Sequence, residues 1–297
     1  MNLQGRNLPL VLTLAAAFVT SVQGQSASAQ PIPDLSGLWE HANPGFEPLA
    51  SGPTALVNLS RRPNGTGDGL KLTGDYRNPI LTPEAAEVVK QHGARALQMG
   101  DPNPHNQCWL EGPPFVFTNH PTQIVQTPNE VVILYQDNSQ ARHVRMNQTH
   151  PARVTPTWYG DSVGHYEGDT LVIDTVGIKV GRYSMVDWYG TPHSEALHVT
   201  ERYRMLDYEA AKEGFARDIR EYNEPRGMPA ANPEGKYLQL RFTVDDPKVF
   251  TMPWTATMTF RYIGNGALDW QEQACAENLF WYPGKEADVP RADRPDF

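Results

Sequence analysis

Apolar and polar residues alternate over short runs through most of the chain after residue 121. Alternation with a period of two is typical of β-strands that bury one face, and turn residues separate these runs. We therefore predict strands over 122–126, 130–136, 142–146, 163–167, 170–176, 194–205, 237–244, 254–262 and 268–275. An earlier apolar piece at 35–40 predicts one more strand.

Two segments predict helices. Thr82 can cap a helix, Pro83 suits its first position, and Glu84 favours the positive end of the helix dipole. These signals predict a helix over 82–98. A second helix is predicted over 208–218, although Gly214 and the polar composition there disfavour it.

The best-defined hairpin covers residues 162–175, with the sequence S-V-G-H-Y-E-G-D-T-L-V-I-D-T. Its turn lies at Gly168-Asp169, and turn chemistry accounts for Asp169. On the return strand, Asp174 lies between Val172 and Val176 on one face, where an unpaired acid would be costly to bury. Asp174 is therefore expected to face solvent or to meet a hydrogen-bond donor.

Short strands at regular intervals indicate an antiparallel barrel or a sandwich. The 297 residues are enough for one large β domain or two small ones. The chain has no repeat of fixed period and no glycine-rich phosphate-binding loop. With 39% apolar residues, its composition is that of a folded chain rather than a disordered one.

The first residues predict export from the cytoplasm. Arg6, the apolar run 8–19 and the A-x-A site at 27–29 form the pattern of a signal peptide over residues 1–29. The mature protein is therefore expected to be periplasmic or secreted, without membrane insertion. The formal net charge of −9 disfavours binding to nucleic acid or to anionic membranes.

The chain contains two cysteines, Cys108 and Cys275. In an exported protein an isolated pair most simply forms a disulfide. The alternative is a catalytic thiol, although neither residue belongs to a C-x-x-C motif or to a familiar nucleophile setting.

The order of several motifs resembles that of a large family of secreted bacterial proteins, most of which have no assigned function. The motifs include P-D-L-S-G-L-W (33–39), L-T-P-E-A-A (81–86), P-T-W-Y-G-D-S-V-G-H-Y-E-G-D-T-L-V-I-D-T-V-G (156–177), P-H-S-E-A-L-H-V-T-E-R (192–202) and C-A-E-N (275–278). The resemblance implies a single domain over 30–297, with a loop-rich segment at 30–120 and one or two short helices. Its fold would be a lipocalin-like antiparallel β-barrel. The sequence W-L-E-G-P-P at 109–114 departs from the polar P-x-G-x-P-R segment expected there.

The densest group of reactive side chains lies within the sixteen residues 187–202 and contains Asp187, His193, His198, Glu201 and Arg202. On the predicted strand, His198 and Arg202 share a face with Thr200, and we expect this polar face to line a pocket inside the barrel. His193 is the candidate general base, with Asp187 and Asp174 as orienting acids. The alternative is an exposed loop histidine among surface charges. No metal is expected, since His-x₄-His across a loop and a strand has no fixed geometry.

Aromatic residues are concentrated in the turn-rich segments. Rings there can hold a flat, apolar or sugar-like ligand, although they can equally form the core and its closing lid. The candidate ligand-binding residues are Trp109, Trp158, Tyr183, Trp188 and Arg142. Arg142 or Arg202 would be the cation for developing negative charge.

These features favour an exported, cofactor-independent enzyme that uses His/Asp acid–base chemistry on a small aromatic or apolar hydroxylated compound. Lyase-type elimination is preferred to hydrolysis, because a base and a cation together can remove a proton and stabilise negative charge. The alternative is a lipocalin-like carrier that binds small apolar ligands without turnover, and a third hypothesis is a purely structural envelope protein. The expected partner is a small molecule, and a homo-oligomer is left open.

Overall fold

The structure is a computed structural model that describes residues 32–41, 43, 45–99, 102–118, 121–136, 138–222 and 231–264. From Ile32 onward the described residues form one compact unit. The predicted signal peptide over 1–29, the predicted strand over 268–275 and Cys275 lie outside the described residues, so export and the Cys108–Cys275 disulfide stay predictions. No helix in the described part of the chain is both long and apolar enough to cross a bilayer.

The described elements are ten strands and two α-helices, with a short 3-10 turn at Phe115–Thr118. In chain order they are β1 (Gly37–Glu40), β2 (Glu47–Pro48), α1 (Pro83–Met99), β3 (Thr122–Gln126), β4 (Glu130–Tyr135), β5 (Gln140–Met146), β6 (Asp161–Glu167), β7 (Thr170–Val176), β8 (His198–Leu206), α2 (Tyr208–Tyr222), β9 (Tyr237–Asp245) and β10 (Trp254–Gly264).

The predicted helices are both present, and neither is short. Thr82 caps α1, since its Oγ1 accepts a hydrogen bond from the backbone N–H of Ala85 at 3.3 Å. Asp207 caps α2 in the same way through Ala210, at 2.8 Å. Helix α2 runs past the predicted end and tolerates Gly214 because a Cβ there would lie 2.0 Å from Thr259 Oγ1 on β10. The glycine therefore lets the helix pack closely against the sheet.

The predicted β-barrel is confirmed. Among the described residues, nine strands close in the order β1-β3-β4-β5-β6-β7-β8-β9-β10, β10 pairs back with β1, and β2 pairs with β10 beyond it. Neighbouring strands in a closed barrel cannot all be antiparallel when their number is odd. The one parallel pair is β5 with β6, joined by the crossover segment 147–160, so the expectation of a wholly antiparallel barrel is wrong at this pair.

The barrel interior is filled with side chains. The ring of Phe242 packs edge-on against those of Phe46, Phe117 and Trp254, with centroid separations of 4.8, 5.3 and 6.0 Å. The interior contains a cavity of about 10 Å³, which is the room that one water molecule needs. Its lining is mostly apolar and consists of Trp39, Phe117, Thr122, Ile124, Tyr135, Tyr203, Leu238, Leu240 and Phe260.

Strand directions give the barrel two different ends. The tight turns 127–129 and 168–169 lie at one end. The long connections 41–121, 177–197 and 246–253 meet at the other, which we call the loop-rich end. Helix α2 packs outside the barrel against β2, β9 and β10.

Candidate functional site

Strand β8 faces opposite to the sequence-based prediction. Val199, Glu201 and Tyr203 point into the barrel and are buried, whereas His198, Thr200, Arg202 and Arg204 lie on the outer face. Burying Val199 and Tyr203 removes more apolar surface from water than burying the opposite face, with His198, Thr200 and Arg202, would. Burial of Glu201 is tolerated because a cation from another strand neutralises it. The expected polar pocket of His198 and Arg202 inside the barrel is therefore wrong.

The cation that neutralises Glu201 is Arg142 on β5. The two side chains form a bidentate pair, with Nη1–Oε2 and Nη2–Oε1 distances of 2.9 and 2.6 Å, and are 1% and 0% exposed. Arg142 also donates to Ser162 Oγ at 3.1 Å and to Thr175 Oγ1 at 2.6 Å. Burial opposes the charge of Arg142, but Glu201 outweighs it and raises the pKa of the guanidinium.

Two tyrosines complete the buried surroundings of the Arg142–Glu201 pair. Tyr203 donates its hydroxyl proton to Glu201 Oε2 at 3.0 Å, so this oxygen accepts hydrogen bonds from both Tyr203 and Arg142. Burial raises the pKa of the adjacent Tyr135 hydroxyl to about 12, so this group stays protonated at neutral pH. The structure thus places Arg142 in the core, bound to Glu201, Ser162 and Thr175, where a ligand does not reach it as the ligand-binding prediction requires.

Three of the predicted ligand-binding aromatics do come together. Trp109 packs edge-on against Trp158 and Tyr183, with centroid separations of 5.4 and 5.7 Å and interplanar angles of 83° and 82°. We call these three rings the aromatic cap. All three are half-buried, and Lys179 lies 4.8 Å above the Trp158 ring in a cation–π contact.

Trp188 belongs to a different group. Its ring packs on Phe115 and His105, with centroid separations of 5.2 and 5.8 Å, and its Nε1 donates to Thr118 Oγ1 at 3.0 Å. These contacts anchor the loop 177–197 to the 3-10 turn, which gives Trp188 a packing role.

The predicted pair of Asp187 and His193 does not form. Asp187 accepts hydrogen bonds from the backbone N–H of Tyr189 and from both the N–H and the hydroxyl of Thr191, at 2.9, 3.2 and 2.8 Å. These bonds close a buried turn, and burial raises the pKa of Asp187 to about 6. Among the described residues, no hydrogen bond or ion pair joins Asp187 to His193.

His193 is 9% exposed and lies within 3.2 Å of the carbonyl oxygen of Ser194. Burial lowers the pKa of the His193 imidazole, although Ser194 and the nearby charge of Asp246 oppose this. Its neutral, buried ring is poorly placed to meet a substrate. The sequence-based choice of His193 as the base thus has little geometric support.

A different histidine site lies on the outer face of β5–β8. Asp174 Oδ2 is 2.6 Å from His198 Nε2, and Asp174 Oδ1 is 2.8 Å from His150 Nε2. His150 Nδ1 is in turn 2.6 Å from Asp161 Oδ1. Arg145 completes the series with contacts of 2.7 and 3.0 Å to Asp161. We call these five side chains the acid–histidine chain.

The acids of this chain stay ionised. Partial burial would raise the pKa of Asp174, but hydrogen bonds from His198 and His150 outweigh it and lower the pKa to about 2. The hydrogen bond from Arg145 similarly lowers the pKa of Asp161. The hydrogen bond between His198 and Asp174 raises the pKa of His198, although partial burial opposes this.

The geometry fixes the tautomer of His198. Because Asp174 is an ionised acceptor, the proton of the neutral imidazole lies on Nε2, and Nδ1 carries the lone pair. The side chains of His198 and Asp174 are 42% and 36% exposed, so the pair is reachable from solvent. This arrangement can accept and return a proton, which is the basic requirement for general acid–base catalysis.

Arg202 lies on the same outer face but serves another acid. Its Nη2 is 2.5 Å from Glu167 Oε2, and Glu167 also contacts His165 at 3.0 Å. The predicted catalytic residues therefore lie in four separate places. Asp174 and His198 lie together, and Arg202, Asp187 and His193 each lie elsewhere.

Sequence reasoning missed His150, the second partner of Asp174. It lies in the irregular crossover 147–160, where no periodicity assigns a direction to a side chain. The one usable signal was Asp174 itself, because an acid between two valines requires donors.

Comparison with protein-family models, curated proteins and solved structures gives no match. The resemblance to a family of secreted bacterial proteins therefore stays an expectation. Within the described ranges, no group of three or more His, Cys, Asp or Glu side chains is arranged to hold a metal ion.

Proposed function

We propose that this chain is an exported, cofactor-independent enzyme in which Asp174 and His198 perform acid–base chemistry on a small hydroxylated aromatic or apolar compound. The observation that carries the proposal is the 2.6 Å contact between the two side chains on a solvent-accessible face. Export rests on the predicted signal peptide at residues 1–29.

In this proposal Asp174 orients His198, and His198 Nδ1 is the working atom. For an elimination, Nδ1 would take a proton from the carbon next to the one that bears the leaving group. The electrons of the broken C–H bond would form the double bond as the C–O bond breaks, and His198 would return its proton to the departing oxygen. Hydrolysis is the alternative, with Nδ1 removing a proton from an attacking water. Elimination is preferred because it needs only one group to move one proton.

The carrier hypothesis has less support. Small-molecule pockets generally have volumes of roughly 300–1,000 Å³. The described interior cavity, at about 10 Å³, has room for a water molecule only. A ligand of that size does not fit this cavity, so a carrier would need another site, and the aromatic cap is the candidate place. The ligand-binding role of Trp109, Trp158 and Tyr183 thus stays a prediction for either function.

The test is a turnover screen of the purified mature protein against hydroxylated aromatic and glycosidic compounds, followed by mass spectrometry. We expect His198→Gln to reduce turnover by at least about 100-fold, the lower limit for loss of a general acid–base group. His165→Gln is the matched control, because His165 is an exposed histidine hydrogen-bonded to a carboxylate on the same outer face. Equal loss in both variants, or full activity of His198→Gln, would exclude this pair as the catalytic site.

A further inference from the structure

His150 has an unusual pair of neighbours. Its Nδ1 lies 2.6 Å from an oxygen of Asp161 and its Nε2 lies 2.8 Å from an oxygen of Asp174. The pKa of each acid is lowered, so both carboxylates are acceptors and the His150 ring bridges them.

Asp174 is shared between two imidazoles. Oδ1 faces His150, while Oδ2 faces His198 and also accepts a bond of 3.3 Å from the Thr200 hydroxyl. The other charged groups that bear on His198 and its chain are Asp245 on β9, directly across from His198, and Asp161 and Arg145 behind His150.

Arg145 holds the far end of the chain. Its two contacts with Asp161 are 2.7 and 3.0 Å and fix both oxygens of that carboxylate. Asp161 thereby orients the His150 ring, and the ring fixes one oxygen of Asp174. A residue of the crossover thus contacts the side of the Asp174 carboxylate that faces away from β8.

We infer that His150 is a positioning residue for the acid–base pair: it holds Asp174 Oδ1 so that Oδ2 faces His198. The inference rests on the proposed function for its catalytic meaning, because the pair is catalytic only if that proposal is right. The coupling of the two rings through one carboxylate follows from the contacts themselves.

The coupling is measurable without a substrate. Imidazole ¹⁵N shifts of the full mature protein, recorded between about pH 5 and 9, report the protonation of each ring nitrogen. In the wild-type protein at high pH we expect His198 to show a proton on Nε2 and a lone pair on Nδ1.

The decisive variant is His150→Gln. Without the ring that holds Oδ1, Asp174 Oδ2 is no longer fixed against His198, so the titration midpoint of His198 should fall by about half a pH unit or more. The matched control is His143→Gln, which removes an exposed histidine–carboxylate contact with Glu130 on the same wall of the barrel. That change should leave the His198 midpoint within about 0.2 unit of its wild-type value.

A purely structural role for His150 predicts a different result. Loss of a structural residue would lower thermal stability and leave the His198 midpoint unchanged, and that outcome overturns the inference. A raised His198 midpoint overturns it as well. If His150→Gln fails to fold, Asp161→Asn releases the His150 ring from its orienting carboxylate and should lower the His198 midpoint in the same direction. If the midpoint shifts as expected but no compound is ever consumed, the proposed function fails while the coupling stands.

Discussion

The two faces of the wall formed by β5–β8 carry two ionic groups of opposite character. Inside the barrel, Arg142 and Glu201 form a bidentate pair that water does not reach. Outside, Asp174 binds His150 and His198 on a surface that solvent reaches. The inner pair uses a cation that cannot lose its proton under biological conditions, whereas the outer group uses histidines, which titrate near neutral pH.

The two ionic groups therefore have different effects: the inner pair acts on folding stability, and the outer group can exchange protons. A buried guanidinium–carboxylate pair is costly to break and useless for moving protons, so its effect falls on folding. A half-exposed histidine–carboxylate pair stabilises little but can exchange protons with a bound molecule. The same strands thus carry a buried ion pair on their inner face and solvent-accessible titratable groups on their outer face.

The largest expected effect comes from breaking the inner pair. Glu201→Gln leaves the charge of Arg142 buried without its counter-ion, and we expect the free energy of unfolding to fall by about 3–5 kcal/mol. Urea unfolding at neutral pH measures this change. The double variant Arg142→Met, Glu201→Leu removes both charges and should recover most of the loss. A small loss in the single variant would contradict the importance given to this pair.

A third group of acids extends the comparison. Asp218 on α2 and Glu47 on β2 are both buried, and in the described part of the chain neither has a bidentate arginine partner like that of Glu201. Beneath α2, Asp218 accepts one bond of 2.6 Å from Asn43, and Glu47 accepts from Thr257 and Arg217 at 3.2 and 3.3 Å. Burial raises the pKa of both acids, and the charge of Glu47 raises that of Asp218 further. Burial therefore moves the pKa up here, while histidine and arginine donors move it down in the outer group.

The second prediction follows from the raised pKa of Asp218. An acid whose pKa is higher in the folded state stabilises the fold fully below its unfolded pKa of about 4, and that contribution is lost as the pH rises through the folded value. Asp218→Asn should therefore be more stable than the wild-type protein at pH 8 by about 1–3 kcal/mol. The gain should shrink towards pH 4.

Measuring the variant and the wild-type protein side by side isolates Asp218 together with Glu47, whose charge acts on it. Buried groups away from this pair, His193 among them, change stability over the same pH range in both proteins and cancel in the difference. Chemical denaturation at pH 4, 6 and 8 gives the comparison. A difference that does not grow with pH would mean that Asp218 is not the proton-binding group beneath α2.

The third prediction concerns Asp174 and has the opposite sign. Because its folded pKa of about 2 lies below the unfolded value of about 4, Asp174 stabilises the fold above pH 4 and loses that effect as the pH falls through 2. At 36% exposure, solvent screening limits the contribution to about 1 kcal/mol. Asp174→Asn should lose this amount at pH 6, measured by urea unfolding, and should also lower the titration midpoint of His198. Unchanged stability together with an unchanged midpoint would contradict the hydrogen bonds assigned to Asp174.

The local parts of the fold were predictable from the sequence. The hairpin β6–β7 matches its prediction because a glycine turn and strict alternation specify it within fourteen residues. Helix α1 matches because its cap, its proline and its apolar face are all local signals. The grouping of the loop aromatics was predictable, because turn-rich segments of a barrel protein lie at its ends. Trp188 is the exception, since its ring packs on Phe115 and its Nε1 donates to Thr118.

The site was less predictable because its contacts are remote in sequence. Alternation in β8 shows that His198 and Arg202 share one face and Glu201 the other, but it does not show which face is buried. That choice depends on Arg142, which lies 59 positions before Glu201. The partner of Asp174 in the crossover, His150, lies 24 positions before it in a segment without regular structure.

The smallest expected effect tests that choice of face directly. A catalytic or pocket-lining Arg202 inside the barrel would be costly to replace, whereas an exposed Arg202 paired with Glu167 contributes little. We expect Arg202→Gln to change the free energy of unfolding by no more than about 0.5 kcal/mol, and to leave turnover and the His198 midpoint unchanged. Urea unfolding and the same ¹⁵N titration measure both quantities. A loss of several kcal/mol would mean that Arg202 lies in the interior after all and that the inner and outer faces of β8 have been exchanged.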